Sequence, residues 1–346
     1  MTTENPSIIA TASGGLGRIE LNRPKLINAL SLDMVAGIDE ALRSWYDDDT
    51  VTTVLVTGRG ERGLCAGGDI KAVYTDIVDG TGENAKFWNR EYRMNAAIAE
   101  YPKPYVVIMN GITMGGGVGI SGHGSERIVT DSTKVGMPET GIGLFPDVGG
   151  TYLLARAPGE LGTHLALTGT AVGPGAALAL DLADHYVPEA DLPALIADLE
   201  AGEDVDTVVS RYAADAPADD LAEAAAWIDE CYTGDDVEDI LARLEAHPNP
   251  EANAAAALIR TKAPTSVKVT LAALRRAADM TLAEVLEQDY RIAVEMTRRP
   301  DLREGIRAQV IDKDRSPQWS PASLSEVDDA TVTAILTTEQ TDKVFS

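Results

Sequence analysis

The sequence predicts an α/β fold that ends in a mainly helical region, and two observations support this class. The N-terminal half alternates short runs of β-branched residues with segments of helical periodicity, as parallel sheets built from βαβ units do. Near Leu192 the composition shifts to alanine, leucine and acidic residues with few strand formers. We therefore expect a core over residues 1–190 and a mainly helical region over residues 191–346.

The first half contains four segments with the composition of buried strands. They are residues 16–20, 52–56, 105–109 and 126–130. Between the first two strands, an apolar face recurs at three- and four-residue spacing after Ser31, which can serve as the N-cap of a helix. The face consists of Val35, Ile38, Leu42 and Trp45.

Helix signals dominate the second half. Thr281 and Glu284 form a capping-box pattern, which predicts a helix that runs through Glu295. Another helix is predicted to open at Pro264, and Pro300 is expected to end the run.

Composition excludes several classes of function. The chain has 29 Lys and Arg against 55 Asp and Glu, a net charge of −26, so nucleic acid is not expected as a partner. Two uncharged stretches, residues 104–125 and 161–180, are interrupted by glycine or proline, so no membrane span is expected. The 2 cysteines and 4 isolated histidines predict no disulfide framework and no metal site.

The first six residues have no basic segment followed by an apolar run, so they do not resemble a signal peptide. The scarcity of cysteine is typical of a reducing compartment. We therefore expect a cytoplasmic protein.

Two glycine-bearing loops each follow a predicted strand. One covers residues 110–122 and the other residues 63–70. Glycines leave backbone N–H groups open to a ligand, although they also allow a strand to pack closely on a helix. Because ligands of parallel sheets bind at the carboxyl ends of strands, amides of both loops can hold one oxyanion. A dinucleotide site is disfavoured, although residues 117–122 match the GxGxxG pattern. The acid that follows the next strand, Asp131, lies only nine residues past the pattern, whereas the acid that binds the ribose in such sites lies about 20 residues on.

A third loop, residues 137–150, carries Glu139 and Asp147 in an apolar setting broken by proline and glycine. Burial among such residues should raise the pKa of a carboxyl group, which suits a general base or a nucleophile. The alternative is that Glu139 caps a helix or pairs with a lysine.

These loops together resemble the crotonase (enoyl-CoA hydratase/isomerase) superfamily. The resemblance implies a spiral of ββα units followed by a helical C-terminal region. The motifs that carry it are Asn22-Arg-Pro-Lys25, Leu64-Cys-Ala-Gly-Gly-Asp-Ile70, the glycines from Gly111 to Gly119, and Pro138-Glu139. The later segment Ile311-Asp-Lys-Asp-Arg-Ser-Pro-Gln-Trp319 is similar to a signature of the branch that hydrolyses thioesters.

Within the superfamily, hydratases carry one catalytic glutamate at the position of Gly119 and a second at the position of Glu139. This chain lacks the first and has Asp147, as in the branch that hydrolyses thioesters. The resemblance therefore implies hydrolysis of a short β-hydroxyacyl-CoA, namely 3-hydroxyisobutyryl-CoA of valine breakdown. The alternatives are an enoyl-CoA hydratase or isomerase that uses Glu139 alone, and an acyl-CoA-binding protein without turnover.

The resemblance also implies roles for single residues. The N–H groups of Gly68 and Gly116 form the oxyanion hole, and Glu139 is the nucleophile or general base. Asp147 orients the β-hydroxyl group or assists proton transfer. Glu91 matches a further substrate-site glutamate, and its alternative is a solvated charge on a helix face.

Coenzyme A enters as part of the substrate, and the resemblance implies no other cofactor and no metal. The residues implied to bind it are Lys25, Ala66, Gly68, Asp69 and Ile70. Members of the superfamily commonly form trimers. We therefore expect a homo-oligomer, unless the helical C-terminal region covers that interface within one subunit.

Overall fold

A computed structural model describes residues 6–219 and 221–345. The expectation that the N-terminus is not a signal peptide depends mostly on residues 1–5, which lie outside this range. The strands are β1 (Ile8–Ser13), β2 (Leu16–Leu21), β3 (Thr53–Gly58), β4 (Tyr105–Ile108), β5 (Ile112–Met114), β6 (Glu126–Val129), β7 (Lys134–Gly136) and β8 (His185–Tyr186).

The helices follow the expected change from a mixed first half to a helical second half. They are α1 (Leu32–Tyr46), α2 (Ile70–Asp79), α3 (Glu83–Ala99), α4 (Gly116–Ser121), α5 (Gly150–Leu154), α6 (Leu161–Thr168), α7 (Pro174–Ala179), α8 (Leu192–Glu200), α9 (Val205–Tyr212), α10 (Leu221–Cys231), α11 (Val237–Ala246), α12 (Pro250–Ile259), α13 (Pro264–Ala277), α14 (Leu282–Thr297), α15 (Pro300–Ile306) and α16 (Asp329–Thr337). Short 3₁₀ turns lie at Pro24–Leu26, Glu139–Ile142, Glu189–Asp191 and Leu324–Glu326, and a π-helical turn lies at Arg307–Ile311.

The main sheet has the strand order β1-β2-β3-β4-β6-β8. Only the β1–β2 pair is antiparallel, and the remaining neighbours are parallel. The four predicted strands are confirmed as β2, β3, β4 and β6. A separate two-stranded sheet joins β5 and β7. The α/β class with a helical C-terminal region is therefore confirmed.

The chain divides into two compact units that interleave along the sequence. The first comprises residues 6–68, 93–135 and 172–219 of the described chain, and contains the main sheet. One face of this sheet packs against α8 and α9 through buried side chains such as Val106, Ile128 and Leu195. The predicted helix after Ser31 belongs to this unit as α1, and the Ser31 side chain accepts a hydrogen bond from the Met34 amide.

The second unit comprises residues 69–92, 136–171 and 221–345 of the described chain. Within it, α13 packs against α5 and α6, and α14 packs against α16. The capping box is confirmed, since the side chains and amides of Thr281 and Glu284 are paired at the start of α14. Pro300 follows the end of α14 and also opens α15. Since these units interleave, they do not follow a boundary at residue 190, and the sequential division stays a prediction.

Among the helices formed by residues 6–219 and 221–345, none is both long and apolar enough to cross a bilayer.

Candidate active site

The two glycine-bearing loops of the first unit run side by side. The amide of Leu64 donates to the Asn110 carbonyl at 2.8 Å, and the Cys65 amide donates to the Ile112 carbonyl at 3.0 Å. The Met114 amide in turn donates to the Cys65 carbonyl at 3.0 Å. These bonds fix the loop after β3 along β5. The sequence prediction that the two loops come together is therefore met within this unit.

Close backbone approach explains why glycine occupies these loops. Gly67 has φ +107°, and a Cβ atom there would lie 3.3 Å from the Met114 carbonyl oxygen and 3.7 Å from the Gly116 amide nitrogen. A Cβ atom on Gly117 would lie 2.5 Å from the Cys65 carbonyl oxygen, closer than real Cβ contacts allow. Side chains at these positions would push the two loops apart.

The proposed oxyanion donors are open to a ligand. Within residues 6–219 and 221–345, the amide nitrogens of Gly68 and Gly116 donate to no protein acceptor. Gly116 is the first residue of α4, so its N–H points out of the N-terminal end of that helix. A buried or half-buried amide without a protein partner is rare, and a ligand oxygen would satisfy it.

The residues implied to bind coenzyme A lie on adjoining backbone segments. The Ala66 amide donates to the Ile27 carbonyl at 2.9 Å, which joins the loop after β3 to the turn that carries Lys25. Lys25 and Ala66 are both exposed. Asp69 caps α2 by accepting a hydrogen bond from the Ala72 amide, and Ile70 is the first residue of that helix.

Asn28 organises these segments, although the sequence reasoning did not identify it. Its buried side-chain amide donates to the carbonyls of Arg59, Gly63 and Leu64. Its own φ of +52° is in the left-handed region, which asparagine tolerates better than most residues. An asparagine three residues after the end of the Asn22-Arg-Pro-Lys25 motif was the available signal.

In the second unit, the three predicted acids gather in one buried cluster. Glu91 is 2% exposed, Glu139 is 6% exposed and Asp147 is 5% exposed. The alternative of a solvated charge on a helix face is therefore wrong for Glu91. Glu139 opens the 3₁₀ turn Glu139–Ile142, and Asp147 lies in the irregular loop before α5, as the proline and glycine pattern indicated.

Among the residues that the structure describes, Asp147 is the one acid of the cluster whose carboxyl group accepts a hydrogen bond from a side chain. The Tyr92 hydroxyl donates to Asp147 Oδ2 at 2.6 Å. Burial raises the pKa of Asp147 to about 6, while the Tyr92 hydrogen bond acts in the opposite direction. The carboxyl group therefore changes charge in the range where an enzyme operates at neutral pH.

Burial raises the pKa of Glu139 well above its ordinary value, and the charges of Asp147 and Glu91 add to this rise. The pKa of Glu91 is raised by burial and then by Asp147. In the described part of the chain, Glu91 Oε1 and Glu139 Oε2 are buried without a hydrogen-bond partner. Two such oxygens in one cluster indicate a place for a bound molecule, because buried polar atoms are otherwise paired.

A fourth buried acid, Asp289 on α14, belongs to the same cluster and was missed. It is fully buried, and its pKa is raised by burial and by the charge of Asp147. The available signal was its position in an otherwise apolar helical stripe. The stripe is formed by Val285, Leu286, Ile292, Ala293 and Met296. Tyr92, next to Glu91, had no distinguishing sequence signal.

Within the described ranges, no group of three or more histidine, cysteine or acidic side chains is arranged to hold a metal ion.

The chain matches the family described as enoyl-CoA hydratase/isomerase over residues 16–336. It is 38% identical to the mitochondrial 3-hydroxyisobutyryl-CoA hydrolase of Gallus gallus, over 95% of this chain and 88% of the relative. It is 40% identical to the enzyme of the same name from Rattus norvegicus, over 94% of this chain and 88% of the relative.

Among solved structures, the chain is similar to one described as a carnitinyl-CoA dehydratase from Mycobacterium thermoresistibile. The two share 48% sequence identity with a TM-score of 0.95, and the alignment covers 98% of each chain. The shared fold therefore extends over almost the whole length, including the helical C-terminal region.

The prediction of a cytoplasmic location is wrong by this comparison, because both hydrolase relatives are named as mitochondrial proteins. The prediction depended on the absence of a signal-peptide pattern and on the low cysteine count. Neither observation distinguishes the cytosol from other reducing compartments.

Proposed function

The chain belongs to the enoyl-CoA hydratase/isomerase family, and we propose that it hydrolyses the thioester of a short β-hydroxyacyl-CoA, namely 3-hydroxyisobutyryl-CoA. The observation that carries this proposal is the buried pair of Glu139 and Asp147, with an unpartnered Glu139 oxygen and raised pKa values for both carboxyl groups. A site that only bound coenzyme A would gain nothing from burying two acids at such a cost in stability.

We propose that the open amides of Gly68 and Gly116 hold the thioester oxygen while Glu139 acts at the same carbonyl carbon. This assignment follows the family resemblance. It is supported by the two N–H groups without a protein acceptor among the described residues, and by the backbone hydrogen bonds that hold their two loops side by side. Negative charge builds on the oxygen during attack, and losing one such donor costs about 2.7 to 4 kcal/mol in comparable enzymes.

The reaction can proceed by either of two routes with the same products. In one, a Glu139 oxygen bonds to the carbonyl carbon, the carbon–sulfur bond breaks, and coenzyme A leaves as a thiolate that takes up a proton. Water then cleaves the resulting anhydride and regenerates the carboxylate. In the other, Glu139 accepts a proton from the water that attacks the carbonyl carbon directly, the carbon–sulfur bond breaks, and the departing coenzyme A thiolate takes the proton back from Glu139.

Asp147 and Glu91 complete the proposed site. Asp147 orients the β-hydroxyl group or assists proton transfer, which suits a carboxyl group whose pKa is about 6. Glu91 contacts the substrate through its unpartnered oxygen. Lys25, with the loop from Ala66 to Ile70, binds the nucleotide part of coenzyme A.

One observation favours a second candidate, hydration or dehydration of an acyl-CoA, because the similar structure from Mycobacterium is described as a dehydratase. Gly119 argues against it. Hydratases of the family carry a catalytic glutamate at that position, and this chain has no side chain there. The chain would then have to use Glu139 alone.

A product assay distinguishes the two reactions. Purified protein is given 3-hydroxyisobutyryl-CoA, other short hydroxyacyl-CoA esters and the corresponding enoyl-CoA esters, and both free thiol and enoyl absorbance are followed. The proposal expects thiol release that is fastest with 3-hydroxyisobutyryl-CoA and collapses in Glu139→Gln. Loss or gain of enoyl absorbance without thiol release would instead establish the second candidate.

A further inference from the structure

Among the described residues, the Asp289 side chain accepts one hydrogen bond, and it comes from the loop that carries Asp147. The Gly149 amide donates to Asp289 Oδ2 at 2.9 Å, across 140 residues of sequence. The other oxygen, Oδ1, is buried without a partner in the described chain. An acid on the apolar face of α14 is costly, because burial favours its neutral form and leaves one oxygen unpaired. Its presence there calls for an explanation.

The turn that this bond reaches is strained. Val148 has φ +54° and Gly149 has φ +75°, and the Gly150 amide closes the turn on the Asp147 carbonyl at 2.6 Å. Two consecutive residues with positive φ are typical of a type I′ turn, whose first central position favours asparagine, aspartate or glycine. A β-branched valine at such a φ is an outlier, and outliers of this kind persist only where the surroundings enforce them.

The direction of the Asp147 side chain depends on this turn. Asp147 is the residue immediately before Val148, and its carboxyl group meets the Tyr92 hydroxyl at 2.6 Å. If the peptide between Asp147 and Val148 rotated so that the φ of Val148 became negative, the closing bond from Gly150 and the orientation of Asp147 would change together. The bond from Gly149 to Asp289 opposes that rotation.

We propose that Asp289 is a positioning residue, which holds the strained Val148–Gly149 turn so that Asp147 faces Tyr92 and the substrate. The inference rests on the proposed function for its kinetic consequence. Asp289 contacts no reacting atom; it acts through Asp147.

The test uses the full-length protein and five variants. Asp289→Asn keeps an acceptor for the Gly149 amide, Asp289→Ala removes it, and Val148→Gly relieves the strain without touching Asp289. The double variant Asp289→Ala/Val148→Gly tests whether strain relief replaces the lost bond. Asp301→Ala is the matched control, because Asp301 is 2% exposed and accepts one backbone bond, from Ser320 at 2.7 Å, with its other oxygen unpartnered.

We expect Asp289→Ala to lower kcat for thiol release by about tenfold or more, with KM within about twofold, as befits loss of one buried hydrogen bond. Asp289→Asn and Val148→Gly should stay within about threefold of wild type. The double variant should regain most of the lost kcat. Asp301→Ala should lower thermal stability without lowering kcat of the folded protein.

Two readouts do not depend on turnover. Hydrogen–deuterium exchange of the peptide containing Gly149 should accelerate in Asp289→Ala, and the titration midpoint of Asp147, followed by ¹³C NMR, should rise as the Tyr92 bond is lost. If the wild-type protein releases no thiol, the proposed function fails, while these readouts still decide the positioning role.

The inference is overturned if Asp289→Ala leaves the Asp147 midpoint and the exchange at Gly149 unchanged. It is also overturned if the variant loses activity only in proportion to unfolded protein, or if Val148→Gly fails to restore the double variant. Any of these three results would make Asp289 a packing residue of α14.

Discussion

The chemistry of the candidate site depends on carboxyl groups that the fold makes hard to ionise. Asp147 is the clearest case, because burial raises its pKa to about 6 and the Tyr92 hydroxyl restrains that rise. Glu139 and Asp147 influence each other, so a pH profile of the enzyme reports the pair rather than either residue.

Replacing Tyr92 by phenylalanine should move the acidic limb of the pH profile upward. The hydroxyl favours the charged form of Asp147, so its removal raises the pKa of that carboxyl group above about 6. We expect the acidic limb of kcat/KM to shift to higher pH, with a loss of activity that is largest near pH 6. Tyr232→Phe is the control, since that buried hydroxyl meets His164 instead. An unshifted acidic limb would show that the Tyr92 hydrogen bond does not control the ionisation of Asp147.

The same shift predicts a gain in stability from Asp147→Asn. The pKa of Asp147 rises from its ordinary 3.8 to about 6 on folding, so its contribution is most favourable below pH 3.8 and is lost as pH rises through 6. At pH 8 the charged form costs about 3 kcal/mol. Asparagine avoids this cost, so urea unfolding should show a more stable variant at pH 8 and a smaller difference at pH 5.

Asp131→Asn provides the opposite case for that measurement. The Glu189 amide and the Tyr186 hydroxyl hold the pKa of Asp131 below its ordinary value. This variant should gain no stability at pH 8. Equal gains in both variants would mean that the change in net charge, and not the burial of Asp147, stabilises the protein.

At the scale of elements, local signals in the sequence were sufficient wherever one segment determines its own structure. The cap at Ser31, the capping box at Thr281 and the four buried strands are such cases. The strands β1, β5, β7 and β8 were missed because β1 is largely exposed and the other three have only 2 or 3 residues, so none of them carries a hydrophobic pattern.

The site shows the same division. The acids at 139 and 147 share one loop and could be predicted as a pair. Asp289 is 142 residues beyond Asp147 in the sequence, and nothing in one dimension joins the two. Glu91 could be matched to the family, but its burial depends on packing between segments distant in sequence. The sequence therefore could not predict which polar groups pair when they lie far apart along the chain.

The packing of the two glycine-bearing loops gives a prediction at this scale. Gly117→Ala would place a methyl group 2.5 Å from the Cys65 carbonyl oxygen, although Gly117 does not require a positive φ. The loops must separate, and the two amides move with them. We expect kcat to fall by about 100-fold or more, as for loss of an oxyanion donor. Gly173→Ala is the control, because its nearest neighbour would be Asp219 Oδ2 at 3.7 Å. A fully active Gly117→Ala would contradict the proposed oxyanion hole.

For the molecule as a whole, the main constraint is charge. A chain of net charge −26 must bind a substrate whose coenzyme A part carries phosphates, and the long-range interaction between them is repulsive. Many of the cations are already paired with protein groups. Arg59 pairs with Glu20, and Arg62 donates to the carbonyls of Pro24 and Lys25. Homo-oligomerisation and the absence of a further cofactor stay predictions at this scale.

We therefore expect Lys25 to contribute more to binding of coenzyme A than its single charge suggests. It is exposed, and in the described chain its ammonium group has no acceptor. Lys25→Ala should raise KM by about fivefold or more at low salt while kcat stays nearly constant, because in the proposed site Lys25 binds only the nucleotide part of coenzyme A. Lys86→Ala changes the net charge equally but removes a lysine that pairs with Glu83 at 2.7 Å. Equal increases in KM for both variants would show that the overall field, rather than contact at Lys25, controls binding. Measurements at higher ionic strength separate contact at Lys25 from the overall field. Salt weakens the general repulsion in every variant, whereas the difference in KM between Lys25→Ala and wild type should decrease only to the extent that the direct contact itself is screened.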